Sequence, residues 1–312
     1  MAGREIALAT HVKISKDGFR EKLRLRQKSV NSLVCVGLDP LPEKLPRCLR
    51  RKFFLSRNWK AIAQWMIDIV DETAPYASMY KPQKAHYEAI PNGDKILRAV
   101  VAYIHEFYPD IPVFLDCKRG DIGRTQQRYK IAHFEIDDVD GMNFSPYMGS
   151  SCMAPLFDPV HAGRAIVGLC YTSNPEAREV QDIICADGRP YWQHMAEKIH
   201  SWAYEIGVNE NAGLVMAAAY ENPKGSGEIF SQHLSQCREI VGSDMWFLIP
   251  GVGKQKGFVR ETVFASYVGE GSIAINSSSG IIFASSGKDY AQAAGCKAKE
   301  LRDEGRIALS EM

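Results

Sequence analysis

The sequence predicts an α/β fold, a (β/α)8 TIM barrel built as a single domain. Short apolar runs rich in β-branched residues alternate about eight times with longer amphipathic runs along the 312 residues. Strands that alternate with helices are typical of parallel βα units, and eight such units favour a closed barrel over an open sheet. No Pro/Gly/Ser-rich linker, repeat or low-complexity tract divides the sequence, which supports one domain.

Each predicted strand is a short apolar run that ends at polar or turn-forming residues. In chain order the strands cover residues 33–38, 76–80, 113–116, 141–144, 165–170, 213–217, 245–249 and 272–276. Amphipathic periodicity predicts helices at residues 58–72, 94–107, 121–136, 150–157, 191–206, 227–240, 257–267 and 289–304. The barrel domain therefore spans residues 32–305, between an N-terminal extension, 1–31, and a C-terminal tail, 306–312. Within the extension we expect a short helix at about 17–29 with a solvated basic face.

The composition is that of an ordinary soluble globular protein, with 46% hydrophobic residues, 24% charged residues and a net charge of +1. Such a balance gives no electrostatic basis for binding nucleic acid or a membrane. The eight cysteines are scattered and show no zinc-ligand spacing, so no metal site is expected. Charged residues interrupt the first thirty positions throughout, unlike a signal peptide. We expect a cytoplasmic protein in a reducing setting.

An array of opposite charges stands at the end of the third predicted strand. Successive side chains of a strand alternate between its faces, so Asp116 and Lys118 share one face. Asp121 and Thr125 fall four residues apart near the start of the next helix, which predicts that they share a helical face. Such a concentration of charge is costly to bury unless it is paired, and active sites are where that cost is accepted.

Polar residues follow seven of the eight strands, in the position where barrels of this kind carry their chemistry. The segments are Asp39-Pro40, Lys81-Pro82, Asp116 with Lys118, Ser145-Pro146-Tyr147, Thr172-Ser173-Asn174-Pro175, Pro250-Gly251-Val252-Gly253 and Asn276-Ser277-Ser278-Ser279-Gly280. Because they are in phase with the strands, we expect them to meet at one shared site.

The charged members of this site suggest a decarboxylation. A lysine among carboxylates stays protonated, because a nearby opposite charge favours the charged form. Lys118 is therefore suited to donating a proton or stabilising a carbanion rather than to forming a Schiff base. Asp116, held close to Lys118, would resist sharing its site with a second carboxylate, which suits a substrate that loses one. The alternative is that Lys81, Lys118, Asp39, Asp116 and Asp121 only neutralise one another as a packing layer.

Glycine-rich loops after the last two strands of such barrels often bind phosphate through backbone N–H groups. The seventh loop, residues 250–257, contains Gln255 and two lysines, Lys254 and Lys256. The eighth loop, residues 277–280, is Ser-Ser-Ser-Gly. The two loops together predict a phosphate site.

These motifs resemble the orotidine 5'-phosphate decarboxylase family, in particular its longer bacterial-type subgroup. The family signature D-x-K-x-x-D-I-x-x-T is complete as Asp116, Lys118, Asp121, Ile122 and Thr125. Further similar segments are Val34-Cys35-Val36-Gly37-Leu38-Asp39-Pro40, Lys81-Pro82, Ser145-Pro146-Tyr147-Met148-Gly149, Thr172-Ser173-Asn174-Pro175 and Pro250-Gly251-Val252-Gly253-Lys254-Gln255. The likeness covers most of the chain.

The resemblance implies a role for each site residue. Lys81, Asp116, Lys118 and Asp121 would form the catalytic network, and Lys118 would protonate C6 of the pyrimidine after CO2 leaves. Asp39 and Thr125 would hold ribose hydroxyls, Ser173 would contact the pyrimidine, and Gln255 would reach the phosphate, with Pro250, Lys256, Ser279 and Gly280 beside it. The resemblance also implies a homodimer in which Asp121 and Thr125 reach the partner's site, and neither metal nor organic cofactor.

One departure from the family pattern concerns the phosphate. The family usually reads Ser-Arg-Gly in the eighth loop, where this sequence reads Ser278-Ser279-Gly280. A serine cannot supply the charged bidentate fork of an arginine. Lys254 or Lys256 could replace that charge. Two alternatives stay open: a divergent member that decarboxylates a modified or non-phosphorylated pyrimidine nucleoside, and a nucleotide-binding barrel without turnover.

Overall fold

The computed structural model describes residues 18–50, 59–252 and 258–312. Eight parallel strands form one sheet in the order β2-β1-β10-β9-β6-β5-β4-β3. The barrel strands are β1 (Val34–Leu38), β2 (Met79–Pro82), β3 (Phe114–Arg119), β4 (Gly141–Phe144), β5 (Ala165–Tyr171), β6 (Ala212–Met216), β9 (Trp246–Pro250) and β10 (Ile273–Ser277). A short antiparallel hairpin, β7 (Tyr220–Glu221) and β8 (Ile229–Phe230), stands apart from them.

Isolated bridges join the two outer strands of this sheet and complete the ring. Tyr80 pairs with Val113, and Gln83 pairs with Asp116, both in parallel orientation. The Tyr80 backbone N–H also donates to Pro112 O at 3.0 Å. The prediction of a (β/α)8 barrel is therefore confirmed.

The helices surround the barrel and alternate with its strands, as βα units require. They are α1 (Phe19–Val30), α2 (Lys60–Thr73), α3 (Lys84–Glu88), α4 (Gly93–Phe107), α5 (Gly123–Lys130), α6 (Arg178–Gln181), α7 (Tyr191–Ile206), α8 (Gln232–Val241), α9 (Val259–Ser266), α10 (Ser279–Ile282) and α11 (Tyr290–Ser310). A π-helical turn, Ile131–Ile136, continues α5. Helix α11 runs to Ser310, so residues 306–310 belong to it rather than to a separate tail.

Three local predictions differ from the structure. Residues 150–157 form two 3-10 turns instead of one helix, since Pro155 lacks an amide hydrogen for an α-helical bond. The helix expected from residue 121 begins at Gly123, so Asp121 precedes it and does not share a helical face with Thr125. The helix expected from residue 227 begins at Gln232, because hairpin strand β8 occupies Ile229–Phe230.

Helix α1 closes the amino-terminal end of the barrel. Phe19 is buried and stacks on Trp246, with ring centroids 5.2 Å apart, and meets Phe114 edge-on at 6.1 Å. Arg20 donates to Gly271 O at 3.1 Å and to Asp244 O at 2.8 Å. The prediction of a solvated basic face on this helix is therefore wrong for Arg20 and Arg26, which donate to backbone carbonyls, and holds for the exposed Lys28.

Among the described residues, no helix combines the length and the apolar character that crossing a membrane requires.

Candidate active site

Three of the predicted catalytic residues, Lys81, Asp116 and Lys118, meet at the carboxyl end of strands β2 and β3. Lys81 Nζ lies 3.2 Å from Asp116 Oδ2, and Lys118 Nζ lies 2.6 Å from Asp116 Oδ1. Both ammonium groups contact this carboxylate although the regular alternation of β3 is interrupted between Leu115 and Arg119. One carboxylate thus bridges two ammonium groups at the mouth of the barrel.

The two lysines of this array have different environments. The side chain of Lys81 is 4% exposed, whereas that of Lys118 is 47% exposed. Burial alone would lower the pKa of Lys81, but the charges of Asp116 and Asp39 outweigh burial and raise that pKa above its ordinary value. Lys81 is therefore a fixed cation within the wall, and Lys118 is the cation that a bound molecule can meet.

Asp116 is held in its ionised form. Burial alone would raise the pKa of its carboxyl, but the charges of Lys81 and Lys118 and the hydrogen bonds from Lys118 and Asn143 hold it well below its ordinary value. A carboxylate that remains charged in a mostly buried position repels a second carboxylate brought next to it. This property fits chemistry in which a substrate loses CO2.

Sequence reasoning missed Asn143, which donates from Nδ2 to Asp116 Oδ1 at 2.7 Å. The available signal was a polar residue inside the short apolar run Gly141–Phe144, on the strand next to β3. A buried amide needs hydrogen-bond partners, and the nearest predicted polar residues were those at the carboxyl ends of the strands.

Asp39 lies at the end of β1, beside the array. Its Oδ1 accepts a hydrogen bond from the Gln83 backbone N–H at 3.1 Å, which ties the ends of β1 and β2 together. Asp39 is close enough to Lys81 to help stabilise the charged ammonium.

Asp121 and Thr125 lie on the segment that leaves β3 towards the surface. Asp121 Oδ1 accepts from the Ile122 backbone N–H at 2.8 Å, and the Asp121 N–H donates to Gln126 Oε1 at 3.2 Å. Ile122 is 49% exposed and Thr125 is exposed. Both signature residues therefore sit on an outward-facing segment rather than within the Lys81–Asp116–Lys118 contacts.

The loop after β5 is held by Gln181 of α6. Gln181 Oε1 accepts from the Thr172 backbone N–H at 2.9 Å, and its Nε2 donates to Thr172 Oγ1 at 3.0 Å. Thr172 Oγ1 in turn donates to Asn174 Oδ1 at 2.8 Å. These bonds bracket Ser173 and fix the turn that carries it at the barrel mouth.

The two loops predicted to bind phosphate start from neighbouring strands. Pro250 of β9 pairs with Asn276 of β10, and Ser279 and Gly280 follow as the first residues of α10. A Cβ atom on Gly37 would lie 2.5 Å from Ser278 Cβ, so the glycine of β1 is what lets this loop approach. Gln255, Lys254 and Lys256 lie outside the described residues.

In the ranges that the structure describes, no group of three or more His, Cys, Asp or Glu side chains is arranged to hold a metal ion.

A protein-family model described as the orotidine 5'-phosphate decarboxylase / HUMPS family matches residues 32–294. The chain belongs to this family. The match begins just before β1 and ends within α11, so the orotidine 5'-phosphate decarboxylase / HUMPS fold accounts for the whole barrel.

Curated relatives in this family resemble the chain over almost their full length. The orotidine 5'-phosphate decarboxylase of Ralstonia nicotianae is 40% identical over 288 residues, which cover 92% of this chain and 97% of the relative. The protein of the same name from Bordetella pertussis is 38% identical over 286 residues, with 91% and 97% covered. The enzyme class is accordingly that of the carboxy-lyases.

Solved structures of the family share the fold. The Leishmania donovani OMP decarboxylase superposes with a TM-score of 0.71 at 29% identity, covering 93% of this chain and 98% of that one. A Toxoplasma gondii structure described as an orotidine-monophosphate-decarboxylase gives a TM-score of 0.76 at 26% identity, with 95% and 98% covered.

Proposed function

We propose that the protein converts orotidine 5'-monophosphate (OMP) into UMP and CO2, a step of de novo pyrimidine biosynthesis, with neither metal nor organic cofactor. The observation that carries this proposal is the contact of both Lys81 and Lys118 with the single ionised carboxylate of Asp116. The relatives named orotidine 5'-phosphate decarboxylase, which match over nearly their whole length, support the same substrate.

The proposed reaction breaks the bond between C6 of the pyrimidine and its carboxylate. The bonding electron pair stays on C6 as CO2 departs, and an ammonium at C6 stabilises the developing charge before it donates a proton. Lys118 suits this step because it stands at the open side of the array, whereas Lys81 is enclosed. Lys118 then regains a proton from solvent.

We assign the remaining site residues by the family resemblance. Asp39 and Thr125 hold ribose hydroxyls, and Ser173 contacts the pyrimidine. The outward-facing segment after β3 supports a homodimer in which Asp121 and Thr125 reach the partner's site, because Ile122 there is 49% exposed. Tyr147 on the neighbouring loop after β4 is 85% exposed, which suits the same interface.

The phosphate is assigned to the seventh and eighth loops. Pro250, Gln255, Lys256, Ser279 and Gly280 are the proposed contacts, and Lys254 or Lys256 supplies the charge that the usual arginine would provide. Binding energy from this remote group would be used at the reacting carbon, as remote binding energy is in other enzymes.

The direct test is turnover of OMP by the purified protein. We expect equal amounts of UMP and CO2, and we expect Lys118→Ala to remove turnover while the thermal unfolding midpoint stays near that of the wild type. Lys95→Ala, at an exposed position of α4, is the matched control and is expected to behave as wild type. A folded wild-type protein that forms neither product would contradict the proposal.

A second candidate function is favoured by Ser279, which stands where the family usually has arginine. It is decarboxylation of a pyrimidine nucleoside that is modified or lacks the phosphate. Comparing kcat/KM for OMP with kcat/KM for orotidine separates the two candidates. A strong preference for OMP, reduced by Lys254→Ala or Lys256→Ala, supports phosphate recognition, and equal values support the second candidate.

A further inference from the structure

Asn143 is a buried residue of β4 whose side chain serves the neighbouring strand β3. Its side chain is 1% exposed, within a strand that is otherwise apolar. An amide taken out of water without partners costs several kcal/mol, so an asparagine here needs compensating hydrogen bonds. Those described for its side chain go to three consecutive residues of β3: Asp116, Cys117 and Lys118.

The geometry of these bonds fixes the orientation of the amide group. Asn143 Oδ1 accepts from the backbone N–H of Cys117 at 2.9 Å and from that of Lys118 at 2.7 Å. Because only the oxygen of an amide accepts, the nitrogen must face the other way. Nδ2 donates to Asp116 Oδ1 at 2.7 Å, and the same oxygen contacts Lys118 Nζ at 2.6 Å.

The regular pairing of β3 with β4 is interrupted at this place. Leu115 pairs with Met142, and the next pair is Arg119 with Phe144. The intervening residues of β3 therefore face Asn143 in a bulge, and bulges often re-aim side chains next to active sites. Lys118 has a φ of 47°, a left-handed conformation that is unfavourable for a residue with a Cβ atom. In place of the backbone acceptors of a regular β-ladder, the side-chain oxygen of Asn143 accepts from the backbone N–H groups of Cys117 and Lys118.

We infer that Asn143 is a positioning residue for the decarboxylation, an inference that rests on the proposed function. Its amide N–H holds the Asp116 carboxylate between the two lysines, and its carbonyl holds the backbone turn that aims Lys118 at the barrel mouth. The Asp116 carboxylate and the Lys118 ammonium are thus both oriented by the side chain of Asn143. Small displacements of such groups reduce rates strongly, since catalysis depends on near-attack geometry.

The sharpest variant is Asn143→Asp, because it keeps the size of the side chain and an oxygen for both backbone N–H groups. It replaces the donor to Asp116 by a second negative charge. We expect kcat for OMP to fall about 100-fold, the loss typical of one preorganised donor, while the dissociation constant for UMP changes by less than about 3-fold. We also expect the acid limb of the kcat profile to move to higher pH, because neighbouring carboxylates raise one another's pKa.

A matched control is Asn211→Asp, at the opposite end of the barrel. The Asn211 side chain accepts from the Arg20 backbone N–H at 3.1 Å and donates to Ala162 O at 3.1 Å. We expect this variant to lower the thermal midpoint and leave kcat unchanged. If the loss of kcat in each variant simply followed its loss of thermal stability, Asn143 would have only a structural role and the inference would be wrong.

A readout independent of turnover separates this inference from the proposed function. The Asp116 carboxyl can be titrated by NMR in protein labelled with 13C-aspartate, and Asp116→Asn assigns its resonance. We expect Asp116 to titrate at higher pH in Asn143→Asp than in the wild type. A wild-type protein inactive on OMP would refute the proposed function alone, whereas an unchanged Asp116 titration in the variant would refute the role of Asn143.

Discussion

Two clusters of buried charge lie at opposite ends of the barrel and are built from similar groups. The mouth cluster consists of Lys81, Asp116 and Lys118, and the base cluster consists of Lys22, His105, Asp138, Asp140 and Arg164. In each cluster a buried aspartate pairs with more than one cation. Burial alone would raise the pKa of both carboxyls, yet these partners hold the pKa of Asp116 and of Asp140 well below its ordinary value.

The clusters differ in which of their charged groups are enclosed by partners within the protein. Asp140 Oδ2 accepts from the Val113 backbone N–H at 2.8 Å and from Lys22 Nζ at 3.1 Å, and its Oδ1 lies 3.3 Å from Arg164 Nη1. Its cations belong to α1, α4 and the bend just before β5, so the cluster ties separate elements together. In the mouth cluster Lys118 is instead 47% exposed. Ion pairing by itself therefore does not mark an active site. The clusters differ in that the exposed member of the mouth cluster is a cation, whereas that of the base cluster is the anion Asp138, which is 43% exposed.

The same substitution at both ends gives the largest contrast. Asp116→Asn removes the carboxylate that orients both lysines of the mouth cluster. We expect kcat for OMP to fall about 1,000-fold, at the upper end of the loss for a preorganised electrostatic group. The dissociation constant for UMP, measured by calorimetry, should change far less. Turnover within tenfold of the wild type would show that the mouth cluster is as structural as the base cluster.

At the base, Asp140→Asn should act on stability and not on chemistry. It leaves Lys22, His105 and Arg164 without their shared counter-charge, and breaking a buried ion pair in this way costs about 3 kcal/mol. Chemical denaturation should show this loss, while kcat per folded molecule stays unchanged. Asp303→Asn removes the carboxylate of a surface ion pair with Lys299 on α11 and is the control, expected to lower the unfolding free energy far less than Asp140→Asn does. A kcat effect in Asp140→Asn would mean that the two ends of the barrel are coupled.

Sequence patterns predicted the barrel as a whole better than they predicted the bounds of β2 and β3, the strands that carry the charged site residues. Helix Tyr191–Ile206 and strand Gly141–Phe144 have the predicted bounds. Strand β2 was expected at 76–80 but covers Met79–Pro82, and β3 continues past residue 116 to Arg119. Both differences place a lysine inside a strand. Lys81 of β2 pairs with Asp116 on β3, and Lys118 pairs with the same carboxylate within β3. Apolar periodicity does not detect a strand whose end is stabilised by ion pairs.

Side-chain partners were the part of the site that the sequence could not supply. The positions of Lys81, Asp116 and Lys118 at strand ends predicted that they meet, and the structure confirms their contact. The role of Asn143 depends on an interrupted register between β3 and β4, which is a property of the pairing and not of either strand. The base cluster was missed for a similar reason, since its members come from segments more than a hundred residues apart, such as Lys22 and Asp140.

The pH dependence of stability offers a test of the base cluster alone. Burial by itself would lower the pKa of His105, but the carboxylates of Asp138 and Asp140 raise it from 6.5 to about 9. A histidine whose pKa is higher in the folded state than in the unfolded state stabilises the fold. This contribution is fully present below the unfolded-state pKa and is lost as the pH rises through the folded-state pKa. We therefore expect the wild type to lose about 2 kcal/mol between pH 6.5 and 9. His105→Gln should show a flatter profile there, and equal slopes for the two proteins would contradict the ion pairing.

The smallest expected effect is a difference in unfolding free energy between substitutions of a paired and of an exposed lysine on α1. Lys22 pairs with Asp140 at 3.1 Å, with side chains that are 19% and 14% exposed, whereas Lys28 is exposed on the same helix. Partly exposed pairs contribute about 1 kcal/mol at most, so Lys22→Ala should lower the unfolding free energy by about that amount and Lys28→Ala by less. In an Asp140→Asn background the Lys22→Ala effect should disappear, because its partner charge is gone. An effect that persisted there would assign the contribution of Lys22 to packing of its aliphatic stem against the barrel base rather than to charge.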